Sequence, residues 1–100
     1  MLKGKQRSYL KKLAHNQKPL IQMGKEGASD SFTKQLDELL ENKELVKVNV
    51  LENSGYEAND ISKLANEIAE RLAAEYVQAI GRKFVLYRES DEEPEIVLPR

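Results

Sequence analysis

Between Lys43 and Leu45 the hydrophobic pattern changes its period. Phe32, Leu36, Leu39 and Leu40 recur every three or four residues, whereas Val46, Val48 and Val50 alternate with Lys47 and Asn49 as far as Leu51. The first spacing lines one face of a helix and the second lines one face of a strand. No linker separates them, so a helix must pass directly into a strand. That juxtaposition excludes an all-helical bundle and an all-β sandwich, and it predicts mixed α and β structure around one core.

The same test sorts the rest of the chain. Residues 5–16 predict a helix, with Tyr9, Leu10, Leu13 and Ala14 as its apolar stripe and Pro19 as its stop. Residues 19–23 predict a short strand. Ser29 is placed to cap the helix that runs to Asn42 or Lys43. Asn53-Ser54-Gly55 reads as a turn, and Asn59 or Asp60 as the cap of a third helix that buries Ile61, Leu64, Ala65, Ile68 and Leu72. Residues 75–80 and 83–88 predict two strands joined at Gly81-Arg82, with glycine supplying the positive φ of a tight hairpin. From Glu89 onward five acids face one Arg100. This tail is expected to be extended, with Ile96-Val97-Leu98-Pro99 able to dock.

The order is therefore α-β-α-β-α-β-β. It predicts an α/β (two-layer α+β) domain over residues 1–88, followed by an acidic tail over 89–100. A small mixed sheet carries helices on at least one face, and the final hairpin adds an antiparallel strand. One hundred residues suffice for one modest core.

Composition narrows the chemistry. There is no cysteine and one histidine, which excludes a disulfide framework, a thiolate or two-histidine zinc site and a cysteine nucleophile. Phosphate-loop, dinucleotide and nucleophile-elbow patterns are missing. The expectation is no catalytic residue, no metal, no cofactor and no small-molecule substrate. No apolar run approaches the length of a membrane span, and the N-terminus lacks a signal-peptide core, so a cytoplasmic protein is expected.

Net charge is −1, but it is unevenly distributed. Residues 1–27 hold seven basic groups (Lys3, Lys5, Arg7, Lys11, Lys12, Lys18 and Lys25) against Glu26; the remainder holds nine basic groups and sixteen acids. A compact basic segment is an electrostatic footprint for phosphate, although a solvated basic helix would look the same.

That segment ends at Gly24-Lys25-Glu26-Gly27, between a strand and a helix. Glycines there let backbone N–H groups approach a phosphodiester, a helix N-terminus favours an anion, and Lys25 adds a cation. KH domains clamp nucleic-acid backbone with a GxxG loop on this logic. The four letters alone are weak, since they arise by chance in roughly four chains of this length in ten. An ordinary strand-to-helix connection is the plain alternative, and Glu26 would repel phosphate unless it points outward. Lys47, Arg82 and Lys83 could extend the basic surface, and Tyr56 is the tyrosine expected to be most exposed. His15 has no catalytic partner. Asp91-Glu92-Glu93 reads as a solvated run, or as one that folds back on the basic helix.

Several stretches together resemble a known family. They are Lys-Gln-Arg-x-Tyr-Leu-Lys-Lys-Leu-Ala-His at residues 5–15, Lys18 to Gly27, Glu44 to Val48, Val77 to Arg88 and Ile96 to Pro99. In order and over nearly the whole chain, they are similar to bacterial YhbY-type proteins, the stand-alone CRM (chloroplast RNA splicing and ribosome maturation) domains. The resemblance implies a fold like the C-terminal domain of translation initiation factor three: a four-stranded mixed sheet, order 1-2-4-3, with the last strand antiparallel. It also implies RNA binding through the GxxG loop and nearby basic residues, in precursors of the large ribosomal subunit. The expected RNA-binding set is Gly24, Lys25, Glu26 and Gly27 with Lys5, Arg7, Lys11, Lys12, Lys18 and Arg82. The expected partner is rRNA, bound by a monomer. A protein-interaction module that docks a ribosomal protein or assembly factor through the acidic half is the rival.

Overall fold

The computed structural model describes residues 2–100. It contains α1 (Gly4–His15), β1 (Ile21–Met23), α2 (Asp30–Lys43), β2 (Leu45–Val50), α3 (Ile61–Arg71), β3 (Glu75–Ile80) and β4 (Lys83–Tyr87). The four strands form one sheet in the order β1-β2-β4-β3. β1 runs parallel to β2, and β4 is antiparallel to both its neighbours. The expected fold and strand order are therefore present. β1 begins two residues later than expected, because Pro19 has no N–H to donate and the first ladder bond comes from the Leu20 amide to the Lys47 carbonyl, at 2.9 Å.

The main core lies between the sheet and the α2/α3 layer. Met23, Val46, Val48, Val50, Phe84 and Leu86 supply the sheet side; Phe32, Leu36 and Leu40 of α2 and Ile61, Leu64, Ala65 and Ile68 of α3 supply the helical side. The alternation in β2 thus sends its valines inward. A second cluster occupies the opposite face, where Leu10 and Ala14 of α1 pack on Leu45, Val77, Val85 and Tyr87, with Ile96 and Leu98 of the tail beside them. Val77 turns to this face by alternation with Tyr76, and a register shift between Tyr76 and Gln78 puts Gln78 on the same face, opposite Val85. Because α1 docks through Leu10 and Ala14, Tyr9 and Leu13 stay partly exposed rather than completing the expected stripe.

Helix boundaries follow local chemistry. The Ser29 hydroxyl accepts the Phe32 amide at 3.1 Å, as its capping role requires. Asp60 does not cap α3: its carboxylate accepts the Glu57 amide at 3.0 Å and closes a 3-10 turn over Ala58–Asp60 instead. The turn near Asn53 is also 3-10, over Glu52–Ser54, and ends at Gly55 with φ 89°. Gly81 has φ 60° in the β3–β4 hairpin, the conformation expected of it.

α2 ends differently. Glu44 occupies the position after the helix with φ 65°, where glycine is the usual residue. Its carboxylate is buried and accepts three backbone amides of the tail: Ser90 at 2.7 Å, Glu95 at 2.8 Å and Ile96 at 2.9 Å. Glu41 adds bonds from the Ser90 hydroxyl and the Asp91 amide. The tail is thus fastened to the end of α2.

A candidate nucleic-acid interface

β1, β2 and the β3–β4 hairpin all reach the same end of the sheet. The segments there are residues 24–29, residues 51–60 and Gly81-Arg82. The chain enters this end from Met23 through a turn closed by the Gly27 amide on the Gly24 carbonyl, at 2.9 Å. Gly27 has φ 63°, a region that L side chains rarely adopt. Gly24 does not, and a Cβ built on it meets nothing within 4 Å. The two glycines therefore differ: Gly27 is needed for the turn, whereas Gly24 leaves a stretch of backbone open. Lys25 and Glu26 project into solvent. A shallow groove joins the loop to the first turns of α2, past Gln22, Ser31 and Gln35. The helix end is already partly served, because Ser29 takes one free amide and Asp30 places a carboxylate in the first turn. The backbone at Gly24 and the Lys25 side chain are consequently the groups left open to solvent here.

Arg82 belongs to this end, but its guanidinium is engaged by backbone. It donates to the carbonyls of Val50 at 2.9 Å, Leu51 at 3.0 Å and Tyr56 at 2.6 Å. These bonds fasten residues 51–56 to the hairpin. Tyr56 in turn lies against the glycine loop: a Cβ on Gly27 would stand 3.5 Å from its ring and 3.8 Å from its hydroxyl. The ring is half-buried there rather than fully exposed.

The basic residues of α1 lie on the other side of the sheet. Lys5, Lys11 and Lys12 are exposed, as is Lys18 in the connection to β1. Arg7 is not a free cation at the surface. Its Nε and Nη2 donate to the Tyr76 carbonyl at 3.4 and 3.3 Å, pinning α1 to β3. The structure thus brings Gly24–Gly27 together with Arg82 through Tyr56, and leaves the α1 lysines as a separate basic surface. Among the described residues, no three His, Cys, Asp or Glu side chains converge on a metal position. No helix among them is long and apolar enough to cross a membrane.

The acids gather at the far end of α2. That helix has 14 residues, so its ends stand about 20 Å apart. Asp37, Glu38, Glu41, Glu89 and Asp91 line a cleft there, with Arg88 bonded to Asp37 at 2.7 Å. Burial works against a charge on Glu44, but the Ser90, Ile96 and Glu95 amides outweigh it and hold its carboxyl below the ordinary range. Burial, together with the charges of Glu44 and Glu89, pushes the Tyr87 phenol up. The tail therefore does not fold back over the lysines of α1; only its apolar Ile96 and Leu98 reach the α1 cluster. Sequence reasoning did not find Glu44, because its role depends on amides some fifty positions away.

Residues 2–88 match the family model of the CRS1/YhbY (CRM) domain. A Bacillus subtilis protein named as a probable RNA-binding protein, YqeI, is 42% identical over 99 residues, covering 99% of this chain and 100% of that one. A Haemophilus influenzae RNA-binding protein is 36% identical over 99 residues, covering 99% of this chain and 96% of its own. The solution structure of protein SAV1595 from Staphylococcus aureus, a candidate RNA-binding protein, superposes with a TM-score of 0.83 at 48% identity, covering 99% of this chain and 100% of that one.

Proposed function

Because the chain belongs to the CRS1/YhbY (CRM) domain family, we propose that it binds RNA, and that its target is ribosomal RNA in precursors of the large ribosomal subunit. It assists assembly by binding rather than by chemistry, as a monomer in the cytoplasm. Lys25 and the amides of the Gly24–Gly27 loop hold one stretch of phosphate backbone. Lys5, Lys11, Lys12 and Lys18 supply further phosphate contacts. Arg7 and Arg82 act through position, the first by fixing α1 and the second by holding Tyr56 beside the loop.

The observation that carries this reading is the distance of the glycine loop from the acidic cleft: the two sit at opposite ends of α2. A polyanion can reach the loop without meeting the tail. The rRNA and large-subunit part draws its support from the likeness of the quoted motifs to YhbY-type proteins.

A salt titration of binding to rRNA fragments tests the first part. With four to six phosphates neutralised, the log–log slope on single strands is expected at about −3 to −4. Sucrose-gradient profiles of a deletion strain test the second; a large-subunit precursor should accumulate, and normal profiles in the cold would argue against it.

The acidic cleft, about 550 Å³ in volume, favours a second reading in which a basic ribosomal protein or assembly factor docks there. Binding to particles that survives loss of RNA affinity would support it.

A further inference from the structure

We propose that the uncovered half of the sheet, on the α1 side, is a second RNA-contact surface that takes an unpaired segment and holds a base by its edge. This rests on the RNA-binding reading above. α1 crosses only the half of that face nearest the tail, where Leu45, Val77, Val85 and Tyr87 lie beneath it.

Beyond α1 the strands present a different set. Gln22, Asn49 and Lys83 pair in register across β1, β2 and β4, and Ile80 of β3 pairs with Lys83. Strand alternation puts them on one face, opposite Val48 and Phe84 of the core. The neighbouring row holds Lys47, Val85 and Gln78. A cleft of about 170 Å³, lined by Lys47, Gln78, Ile80, Lys83 and Val85, opens between the strands and His15 of α1, and Asn49 pairs with its Lys83. Lys11 stands one helical turn before His15 on the same flank.

The chemistry of this surface selects its occupant. Two lysines enter the cleft and no acid lines it, so it suits an anion. Amide side chains offer a donor and an acceptor together, which is what the edge of a base requires. The 69% exposed Ile80 gives an apolar surface for the flat of a ring, with the buried Val85 at the floor of the cleft. No tyrosine lines this cleft, since Tyr87 is buried under α1 and Tyr56 and Tyr76 pack on the other side of the sheet; the exposed imidazole of His15 is the aromatic ring at its edge. Paired RNA fits poorly, because its base edges cannot enter a recess between a helix and a sheet, whereas a splayed base can. Gln22 is also two residues before Gly24, so a strand held at the glycine loop passes directly onto the row.

The test compares a short mixed-sequence single strand with a blunt RNA duplex matched in phosphate number, by fluorescence anisotropy at fixed salt. The Asn49→Ala/Gln78→Ala double variant keeps every charge. It is expected to weaken single-strand binding at least about five-fold and leave duplex binding close to wild type, while Lys25→Glu weakens both. Should the double variant melt early, the single Gln78→Ala replaces it. Photocrosslinking of wild type to a 4-thiouridine strand should then label residues 75–85. Single-strand binding unchanged in the variants, or crosslinks confined to residues 24–27 and α1, would overturn the proposal and leave RNA binding intact. Variants that bind both RNAs normally but leave ribosomal particles would overturn it in favour of a protein contact. If wild type binds neither RNA, the reading on which it rests fails with it.

Discussion

The Arg82 guanidinium donates to the Tyr56 carbonyl at 2.6 Å, across 26 positions of sequence. Through this bond a hairpin residue governs where an aromatic ring sits beside the glycine loop. Arg82→Lys keeps the charge but cannot reproduce a fork that reaches three carbonyls. We expect it to lower stability by about 1–3 kcal/mol and to weaken RNA binding by loosening residues 51–56. Thermal melting beside RNA affinity checks this. A normal melting temperature with weakened binding would instead make Arg82 a direct phosphate contact.

The two glycines of the loop should respond differently. Gly27→Ala must hold φ 63° and bring a methyl against Tyr56, so it is expected to lose about 1 kcal/mol or more. Gly24→Ala meets open space and should melt within a few degrees of wild type while weakening binding, because the methyl stands where RNA backbone would approach. Equal melting temperatures for the two variants would contradict the geometry.

Lys25 tests the loop without disturbing its backbone. Lys25→Glu should leave melting almost unchanged and weaken RNA binding several-fold, with a salt slope shallower by about 0.7 for each lost phosphate contact. Wild-type affinity in this variant would reduce the loop to a connection and move the interface to α1.

The tail latch should be acid-labile. Glu44 has a folded pKa below its ordinary value of 4.5, so its stabilisation is complete above the unfolded value. It is lost as pH falls through the lower folded value. Amide exchange at Ser90, Glu95 and Ile96 should accelerate in that window, relative to the core strands. Glu44→Gly relieves the positive φ yet removes the acceptor of three amides, and we expect a net loss of about 1–3 kcal/mol. A stabilised variant would show that the latch contributes little.

What the sequence made legible was local. The alternation of Val46, Val48 and Val50, the Ser29 cap and the Gly81 turn each depend on a few neighbouring residues, and each appears as expected. The glycine loop was equally visible as a motif, though not the difference between Gly24 and Gly27, which comes from φ and from Tyr56. What remained hidden depends on distant partners. Nothing near Arg7 or Arg82 announces that their guanidinium groups meet carbonyls 69 and 26–32 positions away. The docking of α1 was hidden because Tyr9, Leu10, Leu13 and Ala14 offer a stripe wider than the one used. Asp60 looked like a helix cap because aspartate serves a 3-10 turn by the same chemistry.

The glycine loop and the acidic tail stand at opposite ends of α2, and a net charge of −1 leaves the molecule almost no monopole. A polyanion therefore gains little from attraction at a distance. Single charges are screened beyond a Debye length, about 8–10 Å at physiological salt, so a partner is sensed only once it is already close to Lys25 or to the α1 lysines. The rate of encounter is then set by diffusion and collision geometry rather than by long-range steering.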